Sequence, residues 1–205
     1  MRWIILTITY VFESKLYVNI TNRCPNNCEF CLRNNTDSVG DADTLWLEKE
    51  PSREEILNDI LKRNLNDFPE LVFCGYGEPT CRLDDMLFVC SEIKKHSNIK
   101  IRVNTNGLSD LINSRKTAKE FDKLVDKLSI SLNASSKEEY DKICHSEFGI
   151  NAFDAILSFS KDVSKYVPEV CMSVVDYGNN EQDILKCQNI CDNLGIKLRV
   201  REYIN

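Results

Sequence analysis

The chain has 205 residues, enough for one domain with a sizeable core, and 42% of them are apolar against 28% charged, the balance of a globular protein. A net charge of -6 argues against broad nucleic-acid binding, which usually shows a basic balance, and leaves only a local basic patch open. Ten cysteines are many for this length, but no secretory signal points to a disulfide scaffold, which places the chain in the reducing cytoplasm. The apolar opening at 3–12 is too short to span a bilayer, so no membrane role is expected.

Residues 2–12 and 15–21 read as two strands joined by Glu13-Ser14, with 1–14 forming the arm of an N-terminal β-hairpin. The second strand runs into Cys24-Pro-Asn-Asn-Cys28-Glu-Phe-Cys31. Residues 34–51 are polar and turn-rich, as in a long functional loop. Ser52-Arg-Glu-Glu55 is a capping box, and Ile56, Leu57, Ile60 and Leu61 follow at helical spacing. A short buried strand over 71–74 breaks at Gly75-Tyr-Gly77-Glu78-Pro79. Next come a helix over 84–96, a strand over 99–105 ended by Asn106-Gly107, a helix around 115–125 and a strand over 127–132. Ser136-Lys-Glu-Glu139 is a second capping box, opening a helix towards Cys144. A helix over 152–165, a strand over 170–175, a helix over 180–194 stopped by Gly195 and a strand over 197–202 follow.

Strand then helix, repeated, is an α/β domain with a parallel sheet. Such a sheet is either open and doubly wound or curled into an incomplete barrel, and strand parity favours the second. Asn19 and Thr21 oppose Val18 and Ile20; Arg102, Asn104 and Asn106 oppose Ile101 and Val103. Ser129, Ser131 and Asn133 oppose Ile130 and Leu132, and Arg199 and Arg201 oppose Leu198 and Val200. A sheet covered by helices on both faces is apolar on both. One polar face therefore predicts an incomplete (β/α)6 barrel, a partial TIM barrel. Its polar interior would take ligands at the C-terminal ends of the strands.

Three cysteines at C-x3-C-x2-C spacing sit at that rim. Thiolates this close repel one another unless a positive centre lies between them. A closed zinc site takes four protein ligands, whereas three on a cubane of four irons leave one iron open. A partial zinc site completed by His96, His145 or another cysteine is the competing reading. The glycine turn at 75–79 lets backbone approach a ligand closely. Cys187 and Cys191 lie in register with Ile184 and Leu194, so they read as core thiols, as does Cys90; Cys171 lies mid-strand. Cys74, Cys81 and Cys144 are candidates for a second centre or a redox pair, although no paired C-x2-C spacing supports one.

The cysteine motif with Phe30, followed after the second strand by Gly75-Tyr-Gly77-Glu78-Pro79, resembles the radical S-adenosylmethionine (SAM) superfamily. The likeness covers nearly the whole chain, and Tyr76 stands where a second glycine is usual. Asn-Ile-Thr-Asn-Arg-Cys24, Phe-Cys-Gly75-Tyr-Gly-Glu-Pro79, Ser131-Leu-Asn133-Ala and Val200-Arg-Glu-Tyr203 are similar to the small members associated with TatD-family nucleases. The resemblance implies a single radical SAM core domain over 1–205, without a C-terminal auxiliary-cluster domain. It implies that Cys24, Cys28 and Cys31 hold one [4Fe–4S] cluster, with SAM on the fourth iron. Gly75, Tyr76, Gly77 and Glu78 would meet the SAM ammonium, and Phe30 would border the adenine. Ser131 and Asn133 on the inner face suit the ribose or carboxylate, Asn104 is a further cofactor-binding candidate on that face, and Arg201 suits the carboxylate or an anionic substrate.

The activity implied is reductive cleavage of SAM to a 5′-deoxyadenosyl radical, which abstracts hydrogen from a substrate. A nucleoside-like molecule, a protein and a nucleic-acid fragment are the open substrate classes. The expected partners are an electron donor such as flavodoxin or ferredoxin, and a TatD-family nuclease. The rival expectation is a non-catalytic zinc or iron–sulfur module that docks a partner.

Overall fold

The computed structural model describes residues 7–178 and 181–203. β1 (Thr9–Phe12) and β2 (Lys15–Val18) form the expected hairpin. Glu13 and Ser14 both take left-handed φ values, 47° and 59°, which suits the twist of a two-residue hairpin turn. The part of the first predicted strand at 2–6 lies outside the described residues. β3 (Glu70–Phe73), β4 (Lys100–Thr105), β5 (Lys127–Ser131), β6 (Glu169–Asp176) and β7 (Lys197–Glu202) all run parallel to β2.

The seven strands lie in one sheet in strict chain order, β1 to β7. This order settles the choice between the two architectures. A doubly wound sheet reverses its strand order at a switch point, whereas successive right-handed crossovers in one direction put every helix on the same face. The sheet therefore rolls with its helices outside, giving the six parallel strands of a partial TIM barrel plus the hairpin strand.

The outer layer comprises α1 (Arg53–Leu61), α2 (Leu83–His96), the short α3 (Ser109–Ile112), α4 (Lys137–Cys144), α5 (Asn151–Val163) and α6 (Glu181–Leu194). Before α1 the capping box closes as predicted: Ser52 Oγ accepts from Glu55 N at 3.1 Å, and Glu55 accepts from Ser52 N at 2.7 Å. The second box is only half made. Ser136 Oγ accepts from Glu139 N at 3.2 Å, but the Glu139 carboxylate turns to the N–H and hydroxyl of Ser135. The helix predicted around 115–125 is absent. Asp110 takes the Thr117 N–H and hydroxyl at 2.8 and 2.9 Å, a single 3-10 turn follows at Ala118–Phe121, and Lys123 sits at φ 62°. Ala118, Phe121 and Val125 are still buried, so packing on the sheet overrides the helical propensity of the segment.

The outer face of the sheet carries the main core. Leu16, Val18, Leu71, Phe73, Ile101, Val103, Leu128, Ile130 and Met172 are fully buried together with Ile56, Ile60, Met86, Ile93 and Phe159 of the helices. Cys90, Cys187 and Cys191 belong to this core, as expected from helical register. Val200, on the outer face of the edge strand β7, is 47% exposed. The inner face is divided. From β4 onward it carries Arg102, Asn104, Ser129, Ser131, Ser173 and Arg201. Along β1–β3 it is a second, aromatic cluster of Tyr10, Tyr17, Leu45, Val72 and Tyr76. The 34–51 loop covers that half: Leu45 and Leu47 are buried, and Trp46 meets Tyr76 edge-on with ring centroids 5.0 Å apart.

Candidate active site

The cysteine loop leaves β2 at the C-terminal mouth of the barrel. Its first half is tied to the loop before α1. Asn22 Nδ2 donates to Leu47 O at 2.7 Å and its Oδ1 accepts from Leu47 N at 3.1 Å. Arg23 donates to both oxygens of Glu50, at 2.8 and 3.0 Å, and Thr21 Oγ1 donates to Glu50 as well. The second half is tied to the end of α4. Asn27 N donates to Cys144 O and Glu29 N to Ile143 O, both at 3.0 Å, and Glu147 N donates to Pro25 O at 2.8 Å. Asn26 Nδ2 donates to the hydroxyl of the fully buried Tyr140 at 2.8 Å. A short loop without regular structure is thereby held by partners more than 100 residues away in sequence.

The glycine turn packs directly against this loop. A Cβ at Gly77 would overlap Thr21 O and stand 2.7 Å from Arg23 O. A Cβ at Gly75 would overlap the Asn19 amide, standing 2.7 Å from its Cγ. Neither glycine has a positive φ, so space is what both positions require. Glu78 N donates to Arg23 O at 2.8 Å. The buried Glu78 carboxylate accepts from Thr80 N (3.0 Å), Thr80 Oγ1 (2.8 Å), Thr105 Oγ1 (2.7 Å) and Asn106 N (2.7 Å). Burial pushes this carboxyl up, against the pull of those four donors. Glu78 thus joins the ends of β3 and β4. Tyr76, in the position where a second glycine is usual, turns its side chain into the aromatic cluster and donates its hydroxyl to Thr36 O.

The remaining predicted residues line the interior. Asn104 stands level with Ser129 of β5. Ser131 stands level with Ser173 of β6. Asn133 follows β5 at φ 61°, a left-handed value that asparagine tolerates, and donates to Cys144 Sγ at 3.7 Å. Among the described residues Asn104 Oδ1, Asn133 Oδ1 and Arg201 Nε are buried without a hydrogen-bond partner. Burying such atoms is costly unless a partner meets them. Burial and the neighbouring Arg199 bring the Arg201 guanidinium below its ordinary value. Phe30 packs at 5.6 Å from Tyr177, whose ring lies 5.1 Å from Tyr203. Tyr177 belongs to no motif, and its place one residue beyond the end of β6 is the only sign of it in the sequence.

Arg102 pairs with Glu70 at 3.2 Å and donates to Tyr17 OH at 3.2 Å, and its side chain is nearly inaccessible. Of the two histidines weighed for a zinc site, His96 ends α2 near Leu65 and Lys100, away from the triplet, whereas His145 stands beside the cysteine loop, 3.4 Å from Glu29. Among the described residues no three or more His, Cys, Asp or Glu side chains converge on a single metal ion. Burial, with the Glu78 charge, pushes the Cys24 thiol up to about 12. A hydrogen bond with Cys144, and burial, push Cys28 up; burial pushes Cys31 up. Ligation reverses this order, because a cationic centre ionises the thiols it binds.

A rolled parallel sheet with three thiols at its C-terminal mouth, a glycine turn against them and an unsatisfied polar wall defines a cofactor-binding half-barrel. The chain belongs to the radical SAM superfamily: residues 18–189 match the model of that superfamily. It is 24% identical over 192 residues to the GTP 3′,8-cyclase of Aliarcobacter butzleri, an alignment covering 92% of this chain and 55% of that protein. It therefore spans about half the length of the curated relatives it matches. Among solved structures, Streptococcus suis SuiB bound to precursor peptide SuiA superposes with a TM-score of 0.66 at 17% identity, over 92% of this chain and 39% of that one. A radical SAM methyltransferase from Sphaerobacter thermophilus superposes with a TM-score of 0.63 at 14% identity, over 95% and 68% of the two chains. Among the described residues no helix is long and apolar enough to cross a membrane.

Proposed function

We propose that Cys24, Cys28 and Cys31 hold a [4Fe–4S] cluster, that SAM binds in the half-barrel beside it, and that the chain removes a hydrogen atom from a substrate in the same cavity. When bound, this cofactor pair supplies the electron transfer that breaks the C5′–S bond of SAM. The observation that carries the reading is the contact of the glycine turn with the cysteine loop, where neither Gly75 nor Gly77 has room for a Cβ. That contact brings exposed backbone beside the thiols, where an amino group can be met by carbonyl oxygens.

The chain's own residues divide the work. The 75–78 backbone receives the SAM ammonium, and Phe30 with Tyr177 borders the adenine. Ser131 and the unsatisfied amide oxygens of Asn104 and Asn133 accept hydroxyl protons, and Arg201 takes a carboxylate. Arg102, Glu70 and Tyr17 close the N-terminal end, so that water and stray reductant are kept from the reacting carbon. The electron donor is of the flavodoxin or ferredoxin class, the cytoplasm is the compartment, and the shared motifs make a TatD-family nuclease the protein partner to test.

Anaerobic reconstitution with iron and sulfide tests this. The chain is expected to take up about four irons and, with dithionite and SAM, to release 5′-deoxyadenosine and methionine. Cys28→Ala is expected to lose both cluster and products. A chain that binds zinc and forms neither product is the docking module instead.

A further inference from the structure

We propose that Cys144 is a positioning residue for the cluster ligand Cys28: its thiol, backed by Asn133, donates a hydrogen bond to the Cys28 sulfur and raises the reduction potential of the cluster. The inference rests on the cluster reading above.

The geometry supplies each link. Cys144 is the last residue of α4 and fully buried. Its carbonyl holds the Asn27 N–H at 3.0 Å, one residue before Cys28, so the two thiols are brought together by a fixed backbone bridge. Cys144 is the leading influence on the Cys28 thiol, so the two sulfurs are neighbours, and Asn133 Nδ2 donates to Cys144 Sγ at 3.7 Å.

The direction of the relay follows from chemistry. As a ligand Cys28 is a thiolate and has no proton to give. Cys144 must then be the donor, and its own sulfur accepts from Asn133. A hydrogen bond to a cluster sulfur draws off negative charge and favours the reduced state, which carries more of it. A neutral thiol does this inside a buried site without the desolvation cost of a second charge. Asn133 also leaves its Oδ1 buried and without a hydrogen-bond partner among the described residues. The sequence offered no sign of this pairing, because 116 residues separate the two cysteines and Cys144 belongs to no spaced motif.

The test compares the reconstituted full chain with Cys144→Ala and Cys144→Ser, read by iron and sulfide content and by a redox titration followed by electron paramagnetic resonance. All three proteins are expected to bind the same iron. At a fixed potential Cys144→Ala should show a ratio of reduced to oxidised cluster about tenfold lower, the effect of one lost hydrogen bond to a charged group. Cys144→Ser, which keeps a donor, should recover most of it. An unchanged titration in Cys144→Ala overturns the proposal. So does loss of iron in Cys144→Ala with iron retained in Cys28→Ala, which would make Cys144 the ligand. A wild-type chain that assembles no cluster overturns the underlying reading, and the relay with it.

Discussion

Glu78 Oε2 accepts from the backbone N–H of Asn106 at 2.7 Å, so the carboxylate of the glycine turn holds the end of the next strand. Its other oxygen takes three donors from Thr80 and Thr105. Every partner is a donor, and an amide cannot satisfy them all, because one of its two ends is itself a donor. Glu78→Gln is therefore expected to lose about 1–3 kcal/mol of stability, the cost of a buried group left unpaired. Urea unfolding of the metal-free chain measures it. A variant as stable as wild type would mean that the carboxylate serves a ligand and not the turn.

Gly77→Ala tests the contact between turn and cysteine loop. The added methyl meets Thr21 O and Arg23 O, both backbone atoms on a segment fixed by Glu50. Overpacking of this kind costs about 1–3 kcal/mol. The expected sign at the site is a fall in iron bound per chain, beyond the fall in melting temperature. Full iron loading would separate the turn from cluster assembly.

Acid sensitivity should appear at Asp126, far from the thiols. Burial alone would raise this carboxyl, but Lys94 at 2.5 Å, the Ile101 N–H at 2.8 Å and Lys100 at 3.4 Å bring it below its ordinary value. A lowered native pKa means that the unfolded chain takes up the proton first as pH falls. The stabilisation is thus present above about pH 4 and is lost as pH falls through the native pKa. Asp126→Asn is expected to cost about 1 kcal/mol at neutral pH for a partly buried pair. The gap should narrow below the unfolded pKa and close below the native one, as unfolding curves at several pH values would show; a gap that persists below the native pKa would place the cost in packing.

The thiol triplet, the glycine turn and the polar inner face were legible because each is a local pattern. Cys24, Cys28 and Cys31 announce a ligand by crowding, and the parity of Ser129, Ser131 and Asn133 announces a lined cavity. Chain order gave the roll of the sheet only once the pairing was known, since strand order is a property of space. What the sequence hid depends on distant packing. The 115–125 segment has helical composition, yet Asp110 captures Thr117 and turns the chain. The aromatic half of the interior was hidden because Tyr17 and Val72 join Leu45 only when the 34–51 loop folds inward. The anchoring of the cysteine loop to α4 was hidden for the same reason.

That anchoring gives the last prediction. Asn26 lies between Cys24 and Cys28, and its amide donates to Tyr140 OH at 2.8 Å. Tyr140 is fully buried and burial holds its phenol neutral, so it serves Asn26 as an uncharged acceptor. Tyr140→Phe keeps the ring and removes the acceptor. It should cost about 1–2 kcal/mol and leave the Asn26 amide without its partner. The loop then loses one of the bonds tying it to α4, while the Asn27, Glu29 and Glu147 bonds persist. In the metal-free chain Cys28 should therefore react faster with iodoacetamide, followed by peptide mass spectrometry. Cys187, on the buried face of α6, serves as the internal reference. Equal acceleration at both cysteines would report general loosening, whereas acceleration confined to the 24–31 loop shows that Tyr140 holds the ligand loop in place.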